Sequence, residues 1–243
     1  MDFEFRSVYC AASFGKALNF VTASSQYVSV PSAVWFSGAF TMEGWIYVRS
    51  YPTWARLFDF GNGGPNNNVL LATTVGVSGN PAVEMYNGVS TSCGQFQYPS
   101  AVPINTWTHL AATFDGTSLW TIYVNGASVK TGTSSCVEPS VTRTLNYIGR
   151  SNWAGDGYAD GLFDDMRIWN VSRTASQILT RLVWADGSIP ARCVAERALL
   201  TAVTRARWWA RTRVSHCTTS SMRAAEQWPL TPPAQGQGSM ARS

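Results

Sequence analysis

Charge is scarce in this chain. Asp, Glu, Lys and Arg make up 13% of its 243 residues, about half of the ~25% usual in soluble domains. That scarcity excludes a charge-rich disordered chain and a heptad-built coiled coil. Long apolar runs are missing too: no stretch reaches the ~18 residues that would read as a membrane-crossing helix. Histidine is nearly absent, with only His109 and His216, and there is no HExxH pair and no GxSxG elbow. Cys10, Cys93, Cys136, Cys193 and Cys217 show no CxxC or zinc spacing. The opening MDFEFRSVYCAASFGKALNF has neither a basic n-region nor a continuous apolar stretch, so no export signal is read in it. Two expectations stay open there: a fragment of a longer secreted protein, or a misplaced start.

What charge there is falls unevenly. Residues 1–186 carry ten Lys+Arg against twelve Asp+Glu, a net −2. Residues 187–243 carry eight Arg, no Lys and two Glu, a net +6. The overall +4 therefore belongs to the C-terminal part, and no nucleic-acid partner is expected for the main domain. The texture changes at the same place. ARCVAERALLTAVTRARWWARTR has helix formers without a clean apolar stripe, and the end is rich in Pro, Gly and Gln. The expected division is one domain over 1–186 and a basic extension, disordered or loosely helical, over 187–243.

Rings are what the chain has in quantity: eleven Trp, nine Tyr and eleven Phe. Between residues 17 and 169 they are set in short alternating stretches separated by turn residues. TMEGWIYVR (41–49) puts Met42, Gly44, Ile46 and Val48 on one face and Thr41, Glu43, Trp45, Tyr47 and Arg49 on the other. WTHLAATF (107–114) and LWTIYV (119–124) alternate in the same way. Asp115-Gly116 joins them, and Asn125-Gly126 follows as a second tight-turn signal. Further strands are read at 17–21, 27–30, 56–60, 68–75, 82–86, 144–149 and 162–169, and a short amphipathic helix at 174–184 with Thr174 as its N-cap. Many short strands with almost no helix predict an all-β, two-sheet antiparallel sandwich or jelly roll.

Residues 107–126, WTHLAATFDGTSLWTIYVNG, resemble the central hairpin of laminin-G-like, concanavalin A-like jelly rolls. ALNFVTASSQYVSVP (17–31) is similar to that family's opening strands and FTMEGWIYV (40–48) to its third. NYIGRSN (146–152) with GLFDDMRIWNVSRTASQI (161–178) is similar to its closing strand and the helical turn after it. The resemblance covers about residues 17–180 with the motifs in family order. It implies the jelly-roll fold, and a function among lectins, pentraxins, adhesion modules and some glycosidases. It also implies an extracellular or cell-surface setting in the parent protein, with a glycan or an extracellular protein as partner. One departure stands out: Thr22-Ala23-Ser24-Ser25-Gln26 holds no acidic residue where relatives often place possible calcium ligands.

The residues themselves argue against hydrolysis. A glycosidase needs two carboxylates about 5–9.5 Å apart across one bond. Residues 1–186 hold only Glu4, Glu43, Glu84 and Glu138, without the Glu-x-Asp-x-Glu spacing of glucanases of this fold. Asp164 and Asp165 are adjacent, so strand alternation points them to opposite faces. By that alternation Asp164 shares the aliphatic face of LFDDMRIW with Leu162, Met166 and Ile168, and its charge needs compensation. Calcium (Ca2+) would provide it, as would backbone amides or an Arg. His109, beside Trp107 in mid-strand, reads as a packed structural histidine. Trp54, Trp153 and Tyr158 fall in loops beside Asn, Asp and Gly, which suits stacking on a sugar ring or a protein hot spot. The same rings could instead cover the ends of the sandwich. Cys93 and Cys136 lie in Ser/Thr-rich segments, and the residues alone do not choose between a disulfide and two free thiols. The expected function is non-catalytic recognition of a carbohydrate or an extracellular protein, with a glycosidase or a purely structural module as the alternatives.

Overall fold

In the computed structural model the described residues are 3–5, 17–180 and 182, and the expected boundary at 187 and the basic extension lie outside them. Thirteen strands are described: β1 (Phe3–Phe5), β2 (Leu18–Phe20), β3 (Val28–Val30), β4 (Phe40–Val48), β5 (Arg56–Gly61), β6 (Val69–Ala72), β7 (Ala82–Tyr86), β8 (Ser92–Gln97), β9 (Trp107–Phe114), β10 (Leu119–Val124), β11 (Ala127–Thr133), β12 (Leu145–Ile148) and β13 (Gly161–Trp169). They form two antiparallel sheets. One runs β1-β13-β4-β9-β10-β11, with β2 pairing on β13 next to β1; the other runs β3-β12-β5-β6-β7-β8.

Alternation sets the interior. Met42, Ile46 and Val48 of β4, Leu110, Ala112 and Phe114 of β9, and Trp120 and Ile122 of β10 face Phe58, Phe60, Val69, Leu71, Val83 and Met85 of the other sheet. Each of these side chains larger than alanine contributes roughly 1.5–3 kcal/mol by leaving water. The β9–β10 turn closes on Asp115, whose carboxylate accepts the amides of Thr117, Ser118 and Leu119. Asn125 and Gly126 turn β10 into β11 with φ of 50° and 79°, the left-handed pair a two-residue hairpin requires.

The edge strands β8 and β11 have no apolar alternation to announce them; SCGQFQ and ASVKTGT are mostly exposed or half-buried. A Cys93–Cys136 disulfide joins β8 to the segment just after β11, tying one edge of each sheet to the other. Helix α1 (Ala175–Thr180) starts at a capping box: the Gln177 amide donates to Thr174 Oγ1 and Gln177 Oε1 accepts the Thr174 amide. It lays Ile178 on Ala111 and Tyr123, covering part of the outer face of the larger sheet. Arg173 anchors the helix by an ion pair to the buried Glu43, its Nη1 donating to Oε1 at 2.8 Å and to Oε2 at 3.0 Å.

The alternation argument fails at Asp164. A bulge in β13 sets Asp165 and Met166 opposite the single residue Gly44, and Asp165 takes φ of 50°. Gly44 allows this, because a Cβ there would meet Met166 Cγ at 3.0 Å. The extra residue flips the strand's parity. Phe163, Met166 and Ile168 face the core, while Asp164 pairs with Trp45 on the outer face. His109 is 1% exposed on that same face, edge-on to Trp45 at 5.3 Å.

Candidate functional site

The outer face of the smaller sheet brings polar and aromatic side chains together in one cluster. It begins with a second bulge. In β5, Arg56 pairs with Ala72 and Phe58 with Leu71, so Leu57 is an extra residue buried in the core. Arg56 and Asp59 are thereby brought to the same, outward face. Opposite Asp59 lie Tyr147 on β12 and Leu70 on β6; Leu70 in turn faces Glu84 on β7.

Asp59 holds the site together. It has no exposed surface, so its carboxylate must be met by donors. Asn68 Nδ2 donates to Oδ1 at 2.9 Å, and the Asn152 amide donates to Oδ2 at the same distance. Asn152 Nδ2 reaches Oδ1 as well. These bonds fix the two loops that flank the face, 62–68 and 149–160.

Trp153 follows directly. Its amide donates to Ser151 Oγ, whose hydroxyl donates to Asp156 Oδ2 at 2.7 Å. Its ring lies on Gly64, where a Cβ would come within 2.4 Å of the indole. Only glycine leaves room for that ring. Tyr86 meets the ring at 5.6 Å between centroids.

Arg56 is the second centre. Its guanidinium lies 5.0 Å from the Trp54 ring and 5.6 Å from the Trp153 ring, a cation–π contact with both. Nη1 donates to the Trp54 carbonyl at 2.7 Å, Nη2 to Asp156 Oδ2 at 2.9 Å, and Nε stands 3.5 Å from Asp59 Oδ2. The arginine is 2% exposed, so it organises the rings and its charge is spent inside. Trp54 itself has φ of 53°, an uncommon backbone for a ring residue, and such strained positions cluster at binding sites.

Trp54, Arg56, Glu84, Tyr86, Trp153 and Asp156 enclose a depression of about 170 Å³. Burial pushes the Glu84 carboxyl up; Arg56 opposes this, and the carboxylates of Asp59 and Asp156 add to it. Burial also raises the Tyr86 hydroxyl, helped by Glu84. An adjoining depression of about 290 Å³ shares Trp153 and Asp156 and adds Arg150 and Tyr158. Arg150 there stacks on Tyr147 at 4.5 Å and Tyr27 at 4.7 Å, with Tyr158 at 6.0 Å.

Of the residues the sequence singled out, the structure brings Trp54 and Trp153 into one depression and puts Tyr158 in the next. Asp164 is elsewhere, on the larger sheet; its Oδ1 accepts the amide of its own neighbour Asp165 at 2.8 Å. Among the described residues no group of three or more His, Cys, Asp or Glu is placed to hold a metal ion. Arg56, Asp59, Glu84 and Tyr86 were not anticipated. Their one signal was a charged pair, Arg56 and Asp59, within the otherwise apolar strand RLFDF.

Comparison with known proteins fits this architecture. No curated protein matches the chain. Among solved structures, domain 4 of AbnA, an extracellular GH43 arabinanase from Geobacillus stearothermophilus solved with arabinotriose, superposes with a TM-score of 0.57. Identity is 23%, over 74% of this chain and 86% of that one. The CBM40 of the Ruminococcus gnavus IT-sialidase, bound to α2,3-sialyllactose, superposes with a TM-score of 0.52 and 12% identity, over 64% of this chain and 95% of that one. At these identities the likeness is one of fold. A family model of laminin G type, described as the concanavalin A-like lectin/glucanases superfamily, matches residues 22–179, and the chain belongs to that family.

Proposed function

We propose that this domain is a non-catalytic carbohydrate-recognition module, seating a glycan against Trp54, Tyr86 and Trp153 on the outer face of the smaller sheet. The observation that carries the reading is the convergence of Trp54 and Trp153, distant in sequence, on one buried arginine. Half-buried rings fixed by a polar scaffold give an apolar surface for a sugar ring, and the carboxylate of Glu84 beside them supplies an acceptor for hydroxyls. Solved neighbours holding arabinotriose and sialyllactose support glycans as the ligand class. Asp59 is buried among amide donors and Asp156 Oδ2 is held by a hydroxyl and a guanidinium, which ties both carboxylates into the scaffold and supports a non-catalytic reading. The Cys93–Cys136 bond supports an extracellular or surface setting, where disulfides persist.

The test is a glycan array followed by calorimetry, run with and without calcium, on the parent chain, Trp153→Ala and Gly64→Ala. Trp153→Ala should lose about 1–3 kcal/mol of affinity, the scale of a buried ring contact. Gly64→Ala should lose part of that by displacing the indole, and each bound polysaccharide should remain uncut on incubation. Affinity unchanged in both variants would remove this face from the site. A silent array would favour an extracellular protein as the partner, and release of reducing sugar would restore the glycosidase.

A further inference from the structure

The charge of the depression is one-sided. Arg56 is sequestered: it is 2% exposed, the Trp54 and Trp153 indoles both lie within cation–π distance of its guanidinium, and its nitrogens are turned to Trp54, Asp59 and Asp156. What a ligand meets is the acid side. Among the described residues no hydrogen bond is made to the Glu84 carboxylate, which lines the depression half-buried, with Asp156 beside it. Asp59 lies behind them, across Leu70. Three formal negative charges thus surround one positive charge that is already engaged.

We infer that this site selects neutral sugars, with Glu84 accepting hydroxyl hydrogen bonds from a ring stacked at Trp153, and that it turns away sugars bearing a carboxylate or sulfate. The inference rests on the carbohydrate reading above and deepens it. A carboxylate only accepts hydrogen bonds, so it pairs well with the hydroxyls of a neutral sugar and badly with a second carboxylate. In a partly desolvated pocket that like-charge contact is weakly screened. Arg150, the cation lining the adjoining depression, is engaged there in stacking on tyrosines.

The selection should depend on pH. The charged and titratable groups facing Glu84 are Arg56 and Asp59 from β5, Asp156 from the 149–160 loop and Tyr86 on its own strand. Its cross-strand neighbours Leu70 and Gln95 carry no charge. Burial raises the Glu84 carboxyl, so mild acid protonates it before an exposed glutamate. Protonation removes an acceptor from the neutral sugar and a repulsion from the acidic one.

Binding of matched pairs tests this: lactose against sialyllactose, and neutral oligosaccharides, arabinotriose among them, against uronic-acid oligomers of equal length. At neutral pH the neutral members should bind at least tenfold tighter. Glu84→Gln, which keeps the shape, should weaken them about tenfold and narrow the gap, and mild acid should do the same to the parent chain. Acidic members binding as tightly as neutral ones, with Trp153→Ala still weakening both, would overturn this inference and leave the carbohydrate reading standing. A preference for acidic members that Arg150→Gln removes would overturn it too, moving recognition to the adjoining depression. Binding by no member at all would sink the carbohydrate reading and this inference with it.

Discussion

Cutting the Cys93–Cys136 bond should weaken the sandwich by an amount that can be worked out in advance. The two cysteines are 43 residues apart, and closing a loop of that length in the unfolded chain is worth about 4 kcal/mol in the chain-entropy model. In the folded state the bond joins the edges of opposite sheets, where Ser134 Oγ and the Ser135 amide already donate to the Cys93 carbonyl. The native geometry should therefore survive reduction, and the loss should come from the unfolded side. For a domain of this size each kcal/mol shifts the melting temperature by about 2–4 °C, so the drop should be roughly 8–16 °C. Thermal unfolding with and without a reductant reads it without changing core volume. The double variant Cys93→Ala, Cys136→Ala should fall slightly further, because Cys93 belongs to the core. Peptide mapping of the unreduced protein should recover the two cysteines in one linked fragment. A reduced form melting with the oxidised one would refute the argument, as would a map that finds both thiols free.

Three further outcomes follow. Arg173→Met strands the buried Glu43 and should cost about 3 kcal/mol, the low end for a broken buried pair, because Trp169 Nε1 still donates to Glu43 at 2.9 Å; a denaturant midpoint near that of the parent would show the pair to be idle. Desolvation works to raise the Asp115 carboxyl, but bonds from Thr117, Leu119 and Ser118 outweigh it and lower the group to about 2. Its contribution is whole above the unfolded value near 4 and fades as pH falls towards 2; carboxyl NMR showing Asp115 titrating like a free aspartate would contradict it. Asp164 sits on the outer face with its Oδ1 on the Asp165 amide, and among the described residues no carboxylate-rich cradle for calcium surrounds it, so melting in millimolar calcium and in EDTA should agree; a calcium-dependent rise lost in Asp164→Asn would establish a metal there.

Most of the architecture was legible because it rests on period and turn chemistry. The β4, β9 and β10 faces fall where alternation puts them, and Asp115-Gly116 and Asn125-Gly126 turn as their residue types require. Strands β8 and β11 were not legible. Each is a sheet edge with polar, exposed residues, and an edge strand is held by backbone pairing to one neighbour and carries little apolar signal.

The site was only half legible, and the two failures share one cause. Trp54 and Trp153 could be picked out as loop rings. What joins them could not, because it depends on Arg56 and Asp59 sharing a face, and strict alternation puts residues three apart on opposite faces. The bulge at Leu57 reverses that parity in β5, as the bulge at Asp165 and Met166 reverses it in β13. In β13 the reversal takes a carboxylate out of the core, where alternation had placed it. In β5 it brings an arginine and an aspartate out together, and they hold Asn68, Asn152 and the two indoles around them. A charged residue at an apparent core position of a strand is thus read as a sign of shifted register, which turns it from the core to the outer face, where Arg56, Asp59 and Asp164 stay buried among partners. Here that reading would have cleared Asp164 of the core and set Arg56 beside Asp59, the pair on which the ring platform stands.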